Sequence, residues 1–522
     1  MAIITLLSLS LVHGKGNYHH LINIVVLVLV FYLTKLASTI SDRWDTVVFP
    51  VVISVFCFTE VLIGYKKLLF HNEFVLLPSC VGTFDNPGPY GGFLAVCICI
   101  LIYYLNCSNR ILRFFIRTTV ITALIALVTT ESRAAYLTLF LGLGFYVWTN
   151  GNKKDLLCKY WLPMTISFII VSLIAYLWKK TSADARLFIY GMSFRTLLEA
   201  GPMGVGFGHF GGAYADVQEA FFESRLAGVG DAILDISLKN KIRYIDGPIF
   251  AFNDFLQIGI EGGWLFLMAY VLVILISIRF SYNRNKACCV GVICLLVFSL
   301  FSYPLENLEF RLLLVFLVAC SEPFKRAPFL STTTNYFYLV AFFLICLFCI
   351  KKAPELKKYC RAQLLKNSAE YAYLSEDYYK FLNIADNNIE YLSHDYSFLY
   401  QYGVSLNKTL YYEDSDSVLL LGSKMSSNPM FWNALGNNSV AQGKYREAEE
   451  RYKHAFYMVP NRLYPVYYLA KLYHSEGDTI RFLEMADRME AFVPKIESTK
   501  TDSLREEIRK IKKVYMSKYG LQ

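Results

Sequence analysis

The chain contains 522 residues, of which 55% are hydrophobic and only 18% are charged. This composition excludes a string of ordinary soluble domains and indicates a polytopic membrane protein that carries one soluble region. The net charge of +9 does not predict a nucleic-acid partner, because much of it lies in short loops beside apolar runs, where the positive-inside rule accounts for it.

The 13 cysteines do not predict a disulfide framework, because most fall within apolar segments and behave there as small hydrophobic residues. Cys346 and Cys349 form a C-x-x-C pair inside an apolar run. This pair has no second pair of ligands and no βαβ context, so it predicts neither a redox centre nor a metal site.

Apolar runs long enough to cross a bilayer recur throughout residues 1–352. We predict an all-α transmembrane bundle of about 10 to 11 spans, counting residues 2–12 as a short or partial span. The largest polar segment, about residues 179–252, separates two groups of spans. The full-length spans are predicted near residues 21–40, 47–65, 92–107, 114–130, 133–149, 160–178, 255–278, 287–303, 310–322 and 335–350.

The lysines and arginines between spans predict the orientation of the bundle. With these spans, all the basic groups fall on one side, which is the cytoplasm by the positive-inside rule. The large polar segment and the whole C-terminal region then lie in the periplasm of a bacterium, around a multi-pass protein of the inner membrane. The basic groups are Arg110, Arg113 and Arg117; Lys153, Lys154 and Lys159; Arg279, Arg284 and Lys286; and Lys325 and Arg326.

From about residue 353 the composition becomes polar, and a repeat of about 34 residues matches the tetratricopeptide helix-turn-helix pattern. We therefore predict a second domain over residues 353–522, with a concave surface for a partner protein. The alternative is a helical cap that binds no ligand. Weaker copies lie near 364–394 and 395–429; the clearer copies are marked by Trp432, Leu435, Gly436, Ala448, Tyr452, Ala455 and Pro460, and by Leu469, Ala470, Tyr473, Ala486 and Pro494.

Three arginines on the predicted outer side are candidates for binding an anion. Arg133 follows a Ser at the turn between two spans, where it either clamps a phosphate or reaches the membrane interface as a structural residue. Arg186 and Arg195 are nine residues apart in a helical stretch. They lie on different faces unless the helix breaks at Gly191, and both have carboxylates nearby in the sequence as alternative partners.

The sequence from Gly206 to Gly211 is a literal G-x-G-x-x-G. It does not follow a strand, so it does not predict a dinucleotide site, and a flexible turn near a ligand is the better interpretation. His209 in this turn is a candidate general base or phosphate donor, or else an exposed histidine without a role.

Polar side chains mark one edge of the apolar helix that follows the large polar segment. Asn253, Asp254, Gln257 and Glu261 occur at helical spacings, which predicts a polar edge that faces into the bundle. A later outer hairpin, near Tyr303–Arg311, carries Glu306, Glu309 and Arg311, and pairing among these three is one interpretation of them.

Five segments together resemble one family, the bacterial O-antigen ligase and O-antigen polymerase-like membrane glycosyltransferases, in the branch with a C-terminal tetratricopeptide tail. The resemblance covers about residues 60–350. The matching segments are GTFDNPGPYGGFLA at 82–95, Ser132-Arg133, RLFIYGMSF at 186–194, PMGVGFGHF at 202–210 and FNDFLQIGIEGG at 252–263.

The resemblance implies a metal-independent, inverting enzyme without a cofactor. It would move a glycan from undecaprenyl diphosphate, in the membrane lipid, to a hydroxyl of lipid A-core, of another glycan or of a protein. Arg133, Arg186 and Arg195 would bind the donor diphosphate, whose growing negative charge requires fixed cations. Asn86, Asn253 and Gly263 match motif positions and would support the site.

One departure from the family concerns the base. The ligases carry His-Asn with a glycine ten residues after the Asn, and here Asn253 and Gly263 match while Phe252 replaces the histidine. His209, Asp254 and Glu261 are the candidate catalytic replacements; a polymerase-like or inactive member is the alternative. Other classes remain open as well, namely a transporter of lipid-linked glycans and a non-catalytic scaffold, although no repeat halves favour a transporter.

Overall fold

The structure of the chain, a computed structural model, describes residues 18–41, 43–70, 80–149, 176–177, 180–226, 245, 247–321, 330–492 and 498–519. It is 83% helical, and no strand occurs in these ranges, which confirms the predicted all-α class. The helices up to residue 321 are α1 (Tyr18–Ile40), α2 (Phe49–Phe70), α3 (Pro87–Leu101), α4 (Arg110–Thr129), α5 (Arg133–Thr149), α6 (Lys180–Ala200), α7 (Phe210–Leu226), α8 (Asp254–Arg284), α9 (Lys286–Ser299) and α10 (Leu308–Ser321).

Four helices in the described ranges are long and apolar enough to cross a membrane, namely Trp44–Leu69, Pro87–Tyr104, Arg110–Thr129 and Asp254–Arg284. The shorter apolar helices Ile22–Ser38 and Lys286–Ser299 accompany them. Of the remaining predicted spans, some form shorter helices, as α5 and α10 do, and 335–350 lies within the long helix Leu330–Leu374. The spans 2–12 and 160–178 fall largely outside the described residues. The number of about 10 to 11 spans therefore stays a prediction.

Helix α3 is the centre of the apolar core, and every residue from Pro89 to Leu101 is buried. Its neighbours approach closely because small residues line the contacts. A β-carbon on Gly92 would lie 2.2 Å from the ring of Phe298, and one on Gly142 would lie 2.3 Å from the sulfur of Cys99. The buried cysteines of α3 and α9 are free thiols that pack as small apolar residues, as the sequence predicts.

The helices have two chemically different ends. At one end Arg284 forms an ion pair with Asp45 at 3.6 Å, and Asn285 donates to Asp45 at 3.2 Å. Lys286 donates to the carbonyl of Thr149 at 2.7 Å. Helix α4, which carries Arg110, Arg113 and Arg117, also begins near this end, so two of the four predicted basic groups lie at the same end of the bundle. The other two groups fall outside the described residues; they are Lys153, Lys154 and Lys159, and Lys325 and Arg326. We call this the basic end.

The opposite end gathers polar groups from several elements, and we call it the site end. The hydroxyl of Thr83 donates to Glu309 at 2.7 Å, and its backbone N–H donates to Glu60 at 2.9 Å. Ser132 donates to the carbonyl of Gly88 at 3.3 Å. The first residue of α8, Asp254, lies here too. The compartment that each end faces stays a prediction.

The C-terminal region begins inside α11 (Leu330–Leu374), which runs unbroken through the predicted domain boundary at residues 352 and 353. Successive helices then pack as hairpins. They are α12 (Tyr378–Asp386), α13 (Ile389–Leu392), α14 (Tyr396–Lys408), α15 (Tyr412–Ser423), α16 (Met430–Ala441), α17 (Tyr445–Met458), α18 (Leu463–Glu476), α19 (Thr479–Ala491) and α20 (Thr499–Tyr519).

These hairpins pack directly on the large polar segment, forming what we call the seam. Phe210, Tyr214 and Phe222 of α7 share one apolar core with Tyr452 and Tyr473. The side chain of Gln218 donates to the carbonyl of Met458 at 2.5 Å, and Ser427 donates to that of Pro248 at 2.7 Å. The polar segment and the C-terminal helices are thus one folded unit, which the sequence pattern does not indicate.

Candidate functional site

The start of α8 organises the site end. The side-chain oxygen of Asn253 accepts from the backbone N–H groups of Phe255 and Leu256 at 3.0 and 3.1 Å, which caps the helix. Its amide nitrogen donates to the carbonyl of Leu300 at 3.3 Å. Asn253 therefore holds α8 against the end of α9.

The glycine-rich turn before α7 fills a break in α8. Gly263 has φ of 80° and interrupts the helix, so the carbonyls just before it lose their helical partners. The backbone N–H groups of Val205 and Gly206 replace those partners, donating to Ile260 and Glu261 at 2.9 Å each. A β-carbon on Gly263 would lie 2.1 Å from the carbonyl oxygen of Pro202. The turn thus packs directly against α8.

Two predicted catalytic carboxylates of α8 are buried and occupied by protein donors. Asp254 accepts from the hydroxyl of Ser299 at 2.8 Å and from the backbone N–H of Leu305 at 3.3 Å. Glu261 accepts from the backbone N–H of Phe210 at 3.3 Å. These contacts tie α8 to the neighbouring hairpin and to α7. Both carboxylates are placed to hold the architecture of the site end.

Glu306 is a carboxylate of the site end that the predicted site residues did not include. Gln257 donates to its Oε1 at 2.5 Å, and Arg311 donates to its carbonyl oxygen at 3.3 Å. Glu306 remains open to solvent, yet crowding by protein raises the pKa of its carboxyl, while the charge of Arg311 opposes that rise. The sequence places Glu306 on an outer hairpin. It does not indicate the contact with Gln257, because that residue is 49 positions away along the chain.

Arg133 and Arg186 belong to two separate helices and lie near enough at the site end for their charges to interact. Arg133 is the first residue of α5, outside the four candidate spans, and burial and the charge of Arg186 both lower its pKa. Arg186 donates to the carbonyl of Phe301 at 3.2 Å, and its guanidinium lies 5.0 Å from the ring centroid of Phe252. Phe252 therefore supports one of the predicted anion-binding arginines.

Aromatic rings surround Arg186. The ring of Tyr303 packs on Phe252 with centroids 5.4 Å apart and on Phe250 at 4.5 Å. The hydroxyl of Tyr190 donates to the carbonyl of Phe252 at 3.0 Å. Phe252 itself has φ of 54°, an uncommon conformation for a bulky residue, which occurs where the surroundings fix the backbone.

Arg195 is not brought to this pair. Helix α6 passes Gly191 without a break, so nine residues turn the chain by about two and a half turns and carry it about 13 Å along the axis. Arg195 instead lies over the ring of Phe221 in α7, 5.2 Å from its centroid. Its contact belongs to the large polar segment.

The last two predicted residues have local backbone contacts. Nδ1 of His209 lies 3.0 Å from the carbonyl oxygen of Phe207, so the tautomer that donates there leaves Nε2 as a proton acceptor. The side chain of Asn86 accepts from the N–H of Gly88 at 2.8 Å and caps α3. His209 keeps a free ring nitrogen for chemistry, whereas the oxygen of Asn86 serves the helix.

The site end thus combines Arg186, which is held by a carbonyl and an aromatic ring, with the nearby charge of Arg133 and a solvent-open carboxylate on a neighbouring hairpin. Guanidinium groups match the oxygens of phosphates, and a carboxylate of raised pKa is suited to accept a proton near neutral pH. Comparison of the chain with protein-family models, with curated proteins and with solved structures finds no match.

Proposed function

We propose that the protein is an integral-membrane glycosyltransferase that moves a glycan from undecaprenyl diphosphate to an acceptor hydroxyl. The observation that carries the proposal is the convergence of Arg133 and Arg186 at the site end. The resemblance to O-antigen ligases and polymerases supplies the substrate class, with ligase preferred over polymerase or protein glycan ligase. The acceptor is lipid A-core, another glycan or a protein.

The reaction follows from this arrangement. The acceptor oxygen forms a bond to the anomeric carbon from the face opposite the lipid diphosphate, and the bond from that carbon to the phosphate oxygen breaks. The diphosphate leaves with the bonding electrons, and Arg133 and Arg186 stabilise its added negative charge. No metal or cofactor is required, because the guanidinium groups supply the fixed positive charge.

The acceptor proton requires a base, and Glu306 is the carboxylate best suited to take it. Asp254 and Glu261, two of the predicted replacements, are buried and occupied by protein donors. Glu306 is open to solvent and has a raised pKa. His209 is the alternative, through its free Nε2.

The proposal places the site end in the periplasm of a bacterium and the basic end in the cytoplasm, in accordance with the positive-inside rule. The lipid tail of the donor would lie between apolar helices in the outer leaflet. The glycan would extend into the periplasm, beside the large polar segment and the C-terminal helices.

We also propose that the C-terminal hairpins are tetratricopeptide repeats. A β-carbon on Gly436 would lie 2.3 Å from the ring of Tyr452, and one on Gly403 would lie 2.5 Å from the side chain of Leu419. A small residue in one helix that receives a large one from its partner is typical of this repeat. The repeats offer a surface to an acceptor or a partner protein.

A transporter of lipid-linked glycans is the second candidate, and the break in α8 is the observation that favours it. In transporters the freed carbonyls of a broken helix face the ligand. Here Ile260 and Glu261 accept from Val205 and Gly206, so these carbonyls are already satisfied by protein. A non-catalytic scaffold would leave the paired arginines without a role.

The test is the envelope glycan of a deletion strain complemented with wild type, Arg133→Ala or Arg186→Ala. Each substitution should reduce transfer by at least about 100-fold, the usual cost of losing one group that stabilises transition-state charge. Arg110→Ala, at the start of α4, is the matched control and should restore transfer fully. Normal glycan profiles from both site variants at normal protein levels would refute the proposal.

The same strain distinguishes ligase from polymerase. Polymer that accumulates on the lipid carrier indicates a ligase, because elongation then proceeds without the final transfer. Loss of polymer length, with a single unit still attached to its acceptor, indicates a polymerase. An unaltered profile in the deletion strain would point to the transporter or the scaffold class.

A further inference from the structure

A second cluster of charged side chains lies at the seam, apart from the arginines of the site end. Asp216 and Glu219 of α7 meet His454 of α17, and a ligand atom of each lies within 4.8 Å of the other two. We propose that these three side chains bind a divalent metal ion, Zn²⁺ foremost, which fastens the large polar segment to the C-terminal helices. This inference does not depend on the glycosyltransferase proposal.

The ligand set has the composition and placement that Zn²⁺ accepts. Asp216 and Glu219 are three residues apart on one helix, so their carboxylates share a face. His454 supplies a nitrogen from the facing helix and contacts the carboxylate of Glu219 through Nδ1. One imidazole and two carboxylates give three protein ligands, and Asp216 is exposed, so water can take the fourth position of a tetrahedral site.

Negative charge is concentrated around this face of α7. Glu199 and His454 both lie close enough to Asp216 for their charges to act on its carboxyl. Asp216, Glu223 and His454 lie equally within reach of the carboxyl of Glu219. Across the described ranges, no lysine or arginine forms an ion pair with Asp216, Glu219 or Glu223. Bound cations are often the largest compensating charge in such a place.

Packing fixes the orientation of the histidine independently of any metal. The ring of His454 packs on Trp432 with centroids 3.7 Å apart. Its Nε2 is buried and has no hydrogen-bond partner among the described residues. Only Nδ1 is therefore presented to the two carboxylates. A ligand held by its surroundings in this way loses little freedom when the metal binds.

The seam also fixes the position of α7 on α17. Gln218, next to Glu219 in the sequence, donates to the carbonyl of Met458, one turn beyond His454. The two helices are thus held in register by a contact that involves none of the three ligands. The three ligands would be in position before the metal binds. Metal coordination would then add to the apolar contacts and hydrogen bonds that already cross the seam.

The first experiment measures metal binding to the full-length protein, purified in detergent with a tag that does not bind metal. After chelator treatment, Zn²⁺ is titrated by calorimetry and bound zinc is measured by elemental analysis. Wild type should bind zinc at this site, and Asp216→Asn and His454→Gln should each remove it or weaken it by at least about tenfold. Trp432 offers a second signal, because its fluorescence should respond to Zn²⁺ in wild type and not in Asp216→Asn.

The matched control is His474→Gln, which changes a histidine of α18 that contacts Tyr515. This variant should keep the same zinc content and affinity as wild type. Asp216 is exposed, so Asp216→Asn tests the site with little risk to folding, which gel filtration verifies. The proposal is overturned if wild type binds no zinc or if folded Asp216→Asn and His454→Gln bind it as wild type does.

The second experiment asks whether the metal fastens the seam. Zn²⁺ should raise the midpoint of thermal unfolding of wild type, since a ligand that binds only the folded state stabilises it. It should also slow proteolytic cleavage within the large polar segment. Neither effect should occur in Asp216→Asn. Equal shifts in the variant and in wild type would refute a role for this cluster.

Discussion

At the basic end of the bundle Arg284 is paired with a charged group, whereas at the site end Arg186 and Glu306 contact neutral groups. Arg284 pairs with Asp45, and Asn285 completes that contact. Arg186, by contrast, is held by a carbonyl and an aromatic ring, and Glu306 by the amide of Gln257. Neutral partners fix the position of a charge without cancelling it. Under the proposed function, these charges are kept for the donor diphosphate and the acceptor hydroxyl.

The largest effect on stability should come from Gly263→Ala, because this change disrupts the packing of the glycine-rich turn on α8 at the site end. A β-carbon there meets the Pro202 carbonyl at 2.1 Å, and the backbone has φ of 80°. Left-handed strain and overpacking should together lower the free energy of unfolding by roughly 3 kcal/mol. Thermal unfolding in detergent and the glycan profile provide the measurements.

Gly144→Ala is the control for this change, because a β-carbon on Gly144 meets nothing within 4 Å. It should leave stability equal or raise it by up to about 1 kcal/mol, since alanine favours a helix over glycine. If Gly263→Ala unfolds at the temperature of wild type, the turn at Val205 and Gly206 does not fix α8 in the way described.

The next effect should come from Glu306→Gln, which removes one charge and keeps the shape of the side chain. Loss of a general base should slow transfer by about 100- to 10,000-fold. In wild type, transfer should fall as the pH drops through the raised pKa of Glu306, above the range of an ordinary glutamate. Glu309→Gln should show the same fall in transfer at low pH as wild type, and Glu306→Gln should not. Transfer measured as a function of pH therefore distinguishes the two variants.

Stability should move in the opposite direction in Glu306→Gln. A carboxyl whose pKa is raised on folding contributes stability below its unfolded pKa and loses that contribution as the pH rises through its folded pKa. Ionised Glu306 therefore disfavours the folded state at neutral pH, and the amide relieves this. Thermal unfolding should occur at an equal or higher temperature than in wild type. Equal transfer rates at every pH would remove Glu306 from the mechanism and leave His209.

The smallest effect should come from Arg284→Gln at the basic end. The pair with Asp45 spans 3.6 Å, and both side chains are partly exposed, so the pair should contribute less than about 1 kcal/mol. Transfer should stay at the level of wild type. A loss of transfer as large as that of Arg186→Ala would contradict the distinction between the two ends.

Local features of the structure follow from the sequence, and distant contacts do not. The Asn-Pro turn before α3 and the polar residue before α8 predict where these helices begin, and the 3.6-residue period separates Arg186 from Arg195. The pairing of Gln257 with Glu306 joins residues 49 positions apart, and that of Glu219 with His454 joins residues 235 apart. No pattern along the chain encodes either contact. They arise from how helices pack.

The seam also sets the order in which this chain can fold. Phe210, Tyr214 and Phe222 share their core with residues of α17 and α18, and 240 residues separate Gln218 from its partner Met458. At about 5 to 20 residues per second, a ribosome needs roughly 10 to 50 s to make the intervening chain. During that time the aromatic face of α7 lacks its partner surface. A chain truncated before Tyr445 would carry that exposed face permanently, so early termination would produce an aggregation-prone protein rather than a shorter folded one.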